Sequence, residues 1–185
     1  MPALQRTGKQ ITEIYNRQVD TVYRICFSFM INTADTEDIV QETFLRLIRS
    51  GIVFQSEEHE KAWLIVTASN LCKDNLKKWW RKNEDIDDPS LGLKQPPFEI
   101  NEVLAAILEL PHDQKTVVYM YYYEGYSTAD IASYLRCPHA TIRSRLSRAR
   151  KNLKTMLGGD FRRKEVISKM LISMSSLMKI QGTVC

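Results

Sequence analysis

Apolar residues recur along this chain at spacings of three and four, the period of one side of an α-helix. Between Gln10 and Ile31 the set is Ile11, Ile14, Tyr15, Val19, Val22, Tyr23, Ile25, Cys26 and Phe29, which predicts a long helix with a broad buried face. Asn32 to Thr36 breaks the pattern, and acids crowd the next helix start, where they favour the positive end of its dipole. The second helix should bury Ile39, Val40, Phe44, Leu47 and Ile48 and end at Ser50 and Gly51. A short polar connection, Ile52 to Glu60, leads to a third helix patterned by Ala62, Trp63, Ile65, Val66, Ala68, Ser69, Leu71, Cys72 and Leu76. Asn83 to Pro97, NEDIDDPSLGLKQPP, has no period, and its prolines and glycine mark a flexible or extended linker. Phe98 to Leu110 restarts an apolar helix, Pro111 stops it, and Gln114 to Tyr123 forms another before Gly125. The tyrosines at 119, 121, 122 and 123 alternate with Val117, Val118 and Met120 at helical spacing and read as core. The expectation is an all-α chain of two small helical domains joined by a flexible linker.

Tyr126 to Leu157, YSTADIASYLRCPHATIRSRLSRARKNLKTML, is the most informative stretch. Ser127 and Asp130 have capping-box spacing, so each side chain can satisfy a backbone N–H of the first turn, with Tyr126 placed to staple onto Ile131. Ile131, Ala132 and Leu135 give one apolar face; Arg136, Cys137 and Pro138 then interrupt it, because a residue before proline is pushed out of the α region. A second helix begins at or next to Pro138. Its apolar stripe is Ile142, Leu146, Ala149 and Leu153, and its other side carries Arg143, Ser144, Ser147, Arg148 and Lys151. Ala140 to Lys154 holds six basic residues and no acid, so this is a helix with a packed back and a cationic, hydroxyl-bearing front. Such a front suits a major groove, where arginine reads guanine edges bidentately and other cations neutralise phosphates. Arg145 lies at the rim of the stripe, for phosphate contact or packing. The plainer reading is a solvated basic face.

Two other surfaces stand out. Asp38, Gln41, Glu42 and Leu45 follow i, i+3, i+4, i+7 spacing, which makes a partly acidic ridge: a docking surface or a solvated face. Lys73, Lys77, Lys78, Trp79, Trp80, Arg81 and Lys82 combine cations with rings, as single-strand binders do, or place one tryptophan on the core among solvated lysines. After Gly158 and Gly159, Val166, Ile167, Met170, Leu171, Met174, Leu177 and Met178 mark an amphipathic tail whose default is to fold back on the second domain.

Composition changes this picture little. A net charge of +4 is modest for 185 residues, but cations and acids are segregated into separate blocks, which suggests surfaces for different partners. Cys26, Cys72, Cys137 and Cys185 contain no C-x-x-C pair and indicate neither a zinc site nor a disulfide framework; His59, His112 and His139 are scattered. There is no bilayer-length apolar run and no signal-peptide core, so a cytoplasmic location is expected. With no phosphate-cradling glycine loop and no catalytic constellation, the expectation is a non-enzyme without cofactor or metal.

Three segments resemble one family. TADTEDIVQETFLRL is similar to an E-D-x-x-Q-E-x-F motif, and AWLIVTASNLCKDNLKKWWRK to a W-L-x-x-x-A-x-N-x-x-x-D motif. ELPHDQKTVVYMYYYEGYSTADIASYLRCPHATIRSRLSRARKNLK resembles the second-domain signature. All belong to the sigma factors of bacterial RNA polymerase, in the compact extracytoplasmic-function (ECF) group of the sigma-70 superfamily, and the likeness runs from Ile11 to Leu157. The resemblance implies a region 2-like domain at 1–82, a linker at 83–97 that threads near the polymerase active-site channel, a region 4-like domain at 98–160 and a tail at 161–185. It implies that Asp38, Gln41 and Glu42 bind core polymerase. It assigns Asn70, Lys73, Asp74, Lys77, Lys78, Arg81 and Lys82 to the −10 element, and the connection from Ile52 to Lys61 to capture of an unstacked base. For the −35 element it implies Arg143, Ser144 and Ser147 as readers, with Arg145, Arg148 and Lys151 on phosphates. An anti-sigma factor, membrane-associated, is the implied inhibitor. Trp79 and Trp80 follow the Asn-x-x-x-Asp motif and receive no role, nor does the tail. The resemblance thus implies an alternative sigma factor that binds core polymerase and promoter DNA. Two other readings are a stand-alone helix-turn-helix regulator that binds an operator as a dimer, and a sigma-like scaffold for acidic proteins.

Overall fold

A computed structural model describes residues 6–82 and 102–158, without the side chains of 80–82. Everything described is helix, turn or connecting segment. The chain divides into two compact units, Met1–Gln95 and Pro96–Cys185. The expected linker, the beginning of the Phe98 helix and the tail from Phe161 onward lie outside the described residues.

The first unit is a three-helix bundle of α1 (Gly8–Met30), α2 (Thr33–Ser50) and α3 (Glu57–Lys82), each packed on the other two. Thr7 and Gln10 close a capping box on α1, with bonds of 2.9 and 3.3 Å, so the helix starts earlier than the apolar pattern suggests. The break before α2 is also narrower than expected. Ile31 alone turns the chain in the left-handed region at φ 61°, and Asn32 caps α2 by accepting from the Asp35 amide at 2.8 Å. Gly51, at φ 58°, ends α2 where glycine has no Cβ penalty.

Val22, Ile25, Cys26, Leu47, Leu64, Ile65, Ala68 and Cys72 are fully buried in this unit. Two residues assigned to buried faces are not there: Tyr15 and Ile48 are 43% and 44% exposed. Ile48 lies one 100° step from Leu47, which carries it to the side of Gln41 and Leu45. Tyr15 sits at the α1–α2 seam with its ring tilted against that of Phe44, 4.8 Å between centroids. Polar residues occupy core positions instead. Thr36 and Thr43 are buried and each donates to the carbonyl one turn back, at 2.6 and 2.7 Å. Cys26 and Cys72, 46 positions apart, meet between α1 and α3, where both are free thiols. Their mutual hydrogen bond and burial push the Cys26 thiol well above its ordinary range.

The second unit contains α4 (Glu102–Leu108), α5 (His112–Val118), a π-helical turn (Tyr119–Tyr123), α6 (Thr128–Tyr134) and α7 (His139–Leu157). Pro111 ends α4's region and caps α5, so α5 begins two residues before the expected Gln114. Its last part widens into the π turn, closed by Glu124 N–H to Tyr119 O at 3.1 Å. Tyr119 and Tyr122 are buried, as a core reading requires, while Tyr121 and Tyr123 are half-buried. The Ser127–Asp130 capping box is present, and Tyr126 is buried with its ring edge-on to Tyr134 at 5.5 Å. Arg136 at φ 50° makes the tight turn, and Pro138 caps α7. All four predicted stripe residues, Ile142, Leu146, Ala149 and Leu153, are buried.

One polar tie crosses the first unit. Glu60, 5% exposed, accepts from Arg17 at 2.9 and 3.1 Å and from the buried Gln18 amide at 3.2 Å. Arg17 keeps Glu57 at 3.4 Å if Glu60 is removed, but Gln18 is left without this acceptor. Glu60→Ala should therefore lower the unfolding free energy by about 1–3 kcal/mol, seen as a lower urea midpoint at unchanged slope. A change below about 0.5 kcal/mol would mean the tie is energetically idle.

Candidate nucleic-acid and docking interfaces

The buried stripes decide what each helix presents outward. On α2, Asp38 and Gln41 are exposed and Glu42 is half-buried. Leu45 and Ile48 extend this face, 38% and 44% exposed, so the ridge is acidic at its start and apolar at its end. Arg46 pairs with Glu42 at 3.4 Å, which leaves Asp38 as the ridge's more open carboxylate.

On α3, Asn70, Lys73, Asp74, Lys77 and Lys78 are exposed and follow i, i+3, i+4, i+7, i+8 spacing, opposite the buried Ala68 and Cys72. They form one continuous side. The predicted Arg81 and Lys82 continue the helix, but their side chains lie outside the described residues, as does Trp80; Trp79 is half-buried.

The connection before α3 is shorter than expected, because Glu57 to Lys61 is already its first turn. Phe54 in the remaining Ile52–Ser56 segment packs on Trp63 and His59 at 5.8 and 5.6 Å, and Arg6 lies over its ring at 4.9 Å. Arg6 also donates to the Leu47 carbonyl at 3.1 Å and to that of Ile52. An open cavity of about 290 Å³ lies beside this segment, lined by Arg6, Gln10, Arg17, Val53 and Phe54 among others. Sequence reasoning missed Arg6; its only signal was a lone cation before a capping box.

On α7, Arg143, Ser147, Arg148 and Lys151 are exposed and Ser144 is half-buried. Arg148 donates to Ser144 at 2.9 Å, which couples two members of the face. Arg145 departs from the group: it turns toward α5 and pairs with Asp113 at 3.1 Å, its side chain 29% exposed. It is thereby engaged within its own unit. Arg150, not singled out from the sequence, donates to the Tyr122 hydroxyl at 2.8 Å. That bond, working against desolvation, raises its guanidinium above the ordinary value.

Among the described residues, no group of three or more His, Cys, Asp and Glu could hold a metal, and no helix is long and apolar enough to cross a membrane.

The sequence model "Sigma-70 region 2" matches residues 14–82, and "Sigma-70, region 4" matches 100–153. The ECF RNA polymerase sigma factor EcfG of Rhodopseudomonas palustris is 32% identical over 148 residues, 77% of this chain and 82% of that protein. The ECF RNA polymerase sigma-E factor of Haemophilus influenzae is 33% identical over 145 residues, 69% and 77%. This chain belongs to the ECF RNA polymerase sigma factors. The fold agrees with that of the sigma factor RpoE from Bartonella quintana, solved in complex with the anti-sigma factor NepR (TM-score 0.66, 24% identity, 83% of this chain and 99% of that one). It also agrees with CnrH, solved with the cytosolic domain of CnrY (TM-score 0.59, 21% identity). As an ECF sigma factor, the chain is an alternative sigma subunit that directs transcription, which sets aside the operator-binding and scaffold readings. Its family is not an enzyme family.

The engagement of Arg145 by Asp113 separates it energetically from its neighbours on this sigma factor. Arg145→Ala should cost about 0.5–1 kcal/mol in thermal unfolding, while exposed Arg148→Ala stays within about 0.5 kcal/mol. Equal losses would return Arg145 to the set of free cations.

Proposed function

We propose that the exposed faces of α2, α3 and α7 are, in that order, the core polymerase, −10 and −35 surfaces of this sigma factor. The single observation that carries the reading is α7: a buried four-residue stripe, a capped partner helix, and an open face of Arg143, Ser144, Ser147, Arg148 and Lys151. Arg143, Ser144 and Ser147 read −35 bases, and Arg148 and Lys151 neutralise phosphates. Arg145 takes a phosphate only at the expense of Asp113.

On α3, Asn70, Lys73, Asp74, Lys77, Lys78, Arg81 and Lys82 engage the −10 element as it opens, and the Ile52–Ser56 segment receives a base extruded from the stack. On α2, Asp38, Gln41 and Glu42 dock on core polymerase, with Leu45 and Ile48 adding apolar area that stays exposed in the isolated chain. Residues 1–82 then form the region 2-like domain, 83–97 the linker, 98–160 the region 4-like domain and 161–185 an amphipathic tail. The chain works in the cytoplasm, catalyses no reaction and needs no cofactor. An anti-sigma factor restrains it by covering these same surfaces; that the fold neighbour RpoE was solved in complex with the anti-sigma factor NepR supports control by a partner of this class.

Run-off transcription with purified bacterial core polymerase on a fragment library tests the reading. Wild-type chain should give core-dependent transcripts, and Asp38→Ala with Gln41→Ala should abolish them. Unchanged transcripts from the double variant would remove the docking assignment. On the promoter so identified, Arg143→Ala should cost about 1–3 kcal/mol at one −35 position, whereas Lys151→Ala should weaken all sequences alike and reduce the salt slope by about 1. Identical profiles for the two variants would refute the division of roles on α7.

A further inference from the structure

The recognition helix is held at more than its apolar stripe. By the 100° step of an α-helix, Arg145 and Asn152 flank the stripe on one edge and Arg150 flanks it on the other. All three are bound to one continuous segment, residues 112–123. Arg145 pairs with Asp113 at 3.1 Å, Asn152 donates to Gln114 at 3.0 Å, and Arg150 donates to the Tyr122 hydroxyl at 2.8 Å. The Arg150 guanidinium also lies 5.7 and 5.9 Å from the rings of Tyr121 and Tyr122. Successive residues of an α-helix do not face the same neighbour. Here the π turn brings consecutive rings edge to face at 5.0 Å and 85°, and both reach one guanidinium. A widened turn of this kind is uncommon and recurs at functional sites.

An apolar stripe tolerates a small roll of the helix about its axis, since dispersion contacts are non-directional. Hydrogen bonds on both edges do not, because a roll lengthens one set as it shortens the other. The consequence falls on the outward face. At the outer surface of a helix, about 5–6 Å from its axis, a 10° roll displaces a side chain's outer atoms by roughly 1 Å. Bidentate recognition needs placement within about 0.5 Å.

We propose that Arg150 and Tyr122 are positioning residues that fix the roll of α7 and thereby set base discrimination by Arg143, Ser144 and Ser147, without touching the bases themselves. Tyr122 is 4% exposed and its hydroxyl is taken up by Arg150, so any effect it has on promoter choice must pass through α7. The proposal rests on the −35 reading of α7.

The test uses holoenzyme reconstituted from core polymerase and the full chain, on the promoter identified by run-off and on its single-substitution −35 variants. Three proteins are compared with wild type: Tyr122→Phe, which keeps the ring and deletes the hydroxyl; Arg150→Lys, which keeps the charge and loses the planar fork; and the double variant. Each single variant should reduce the preferred-to-substituted transcript ratio about five-fold, out of the roughly 5- to 150-fold that one mismatch typically costs. The salt slope should be unchanged, and the double variant should be no worse than either single, because the two residues act as a unit. Thermal unfolding of each variant confirms that folded proteins are compared. Unchanged ratios, or a uniform loss across all −35 sequences, would overturn the proposal. Arg143→Ala is measured beside them. If it too leaves base preference unaltered, the −35 reading itself fails; if it alters preference while Tyr122→Phe does not, only the positioning inference fails.

Discussion

A helix standing alone in water is marginal at best, so each long helix of this chain exists only because one of its sides is removed from solvent. That constraint organises every surface described above. α2, α3 and α7, of 18, 26 and 19 residues, each bury a stripe and expose its opposite. The acidic ridge, the Asn70–Lys78 face and the Arg143–Lys151 face are the remainders of three packing solutions. Their side chains are aligned in rows because the stripes behind them are straight. The faces proposed for function therefore stand on rigid elements; among the irregular segments, Ile52–Ser56 is held in place by Arg6 over Phe54 and by Arg6 bonds to two carbonyls.

Polar ties complete what apolar packing leaves undetermined. Hydrophobic burial is non-directional and sets which side of a helix faces inward, but not its exact roll or register. Glu60 accepting from Arg17 and Gln18 fixes α3 on α1, at a position where an unpaired carboxylate could not be buried. The second unit repeats the device, with Asp113, Gln114 and Tyr122 meeting Arg145, Asn152 and Arg150. Buried Lys115 is a further case, donating to the Leu108 carbonyl at 2.7 Å beside the end of α4. Ties of this kind resist rotation where a smooth apolar seam would not.

Much of this was legible in the sequence because helical period and caps are local. The existence and order of α1 to α3, the Ser127–Asp130 box, the break at Arg136–Pro138 and the α7 stripe each follow from residues within a turn or two of one another. The misreadings have the same origin. Ile48 and Tyr15 are apolar and close to the right phase, but they fall at the margin of a face, where a partner's width decides between burial and exposure. Thr36, Thr43 and Gln18 are polar and so drop out of an apolar pattern, although each finds its hydrogen bond inside the bundle.

By itself the sequence determined the all-α class, the two-unit order, the helix-turn-helix and the chemical character of each outward face, since all of these are fixed by spacing along one chain segment. Only the tertiary structure decided that Arg145 is engaged while Arg143 is open, that Arg150 lies against two tyrosines, that Arg6 reaches the carbonyls around Gly51, and that Cys26 meets Cys72. The period of a helix states a direction in that helix's own frame. What stands in that direction is a residue tens of positions away, and the packing of whole helices brings it there.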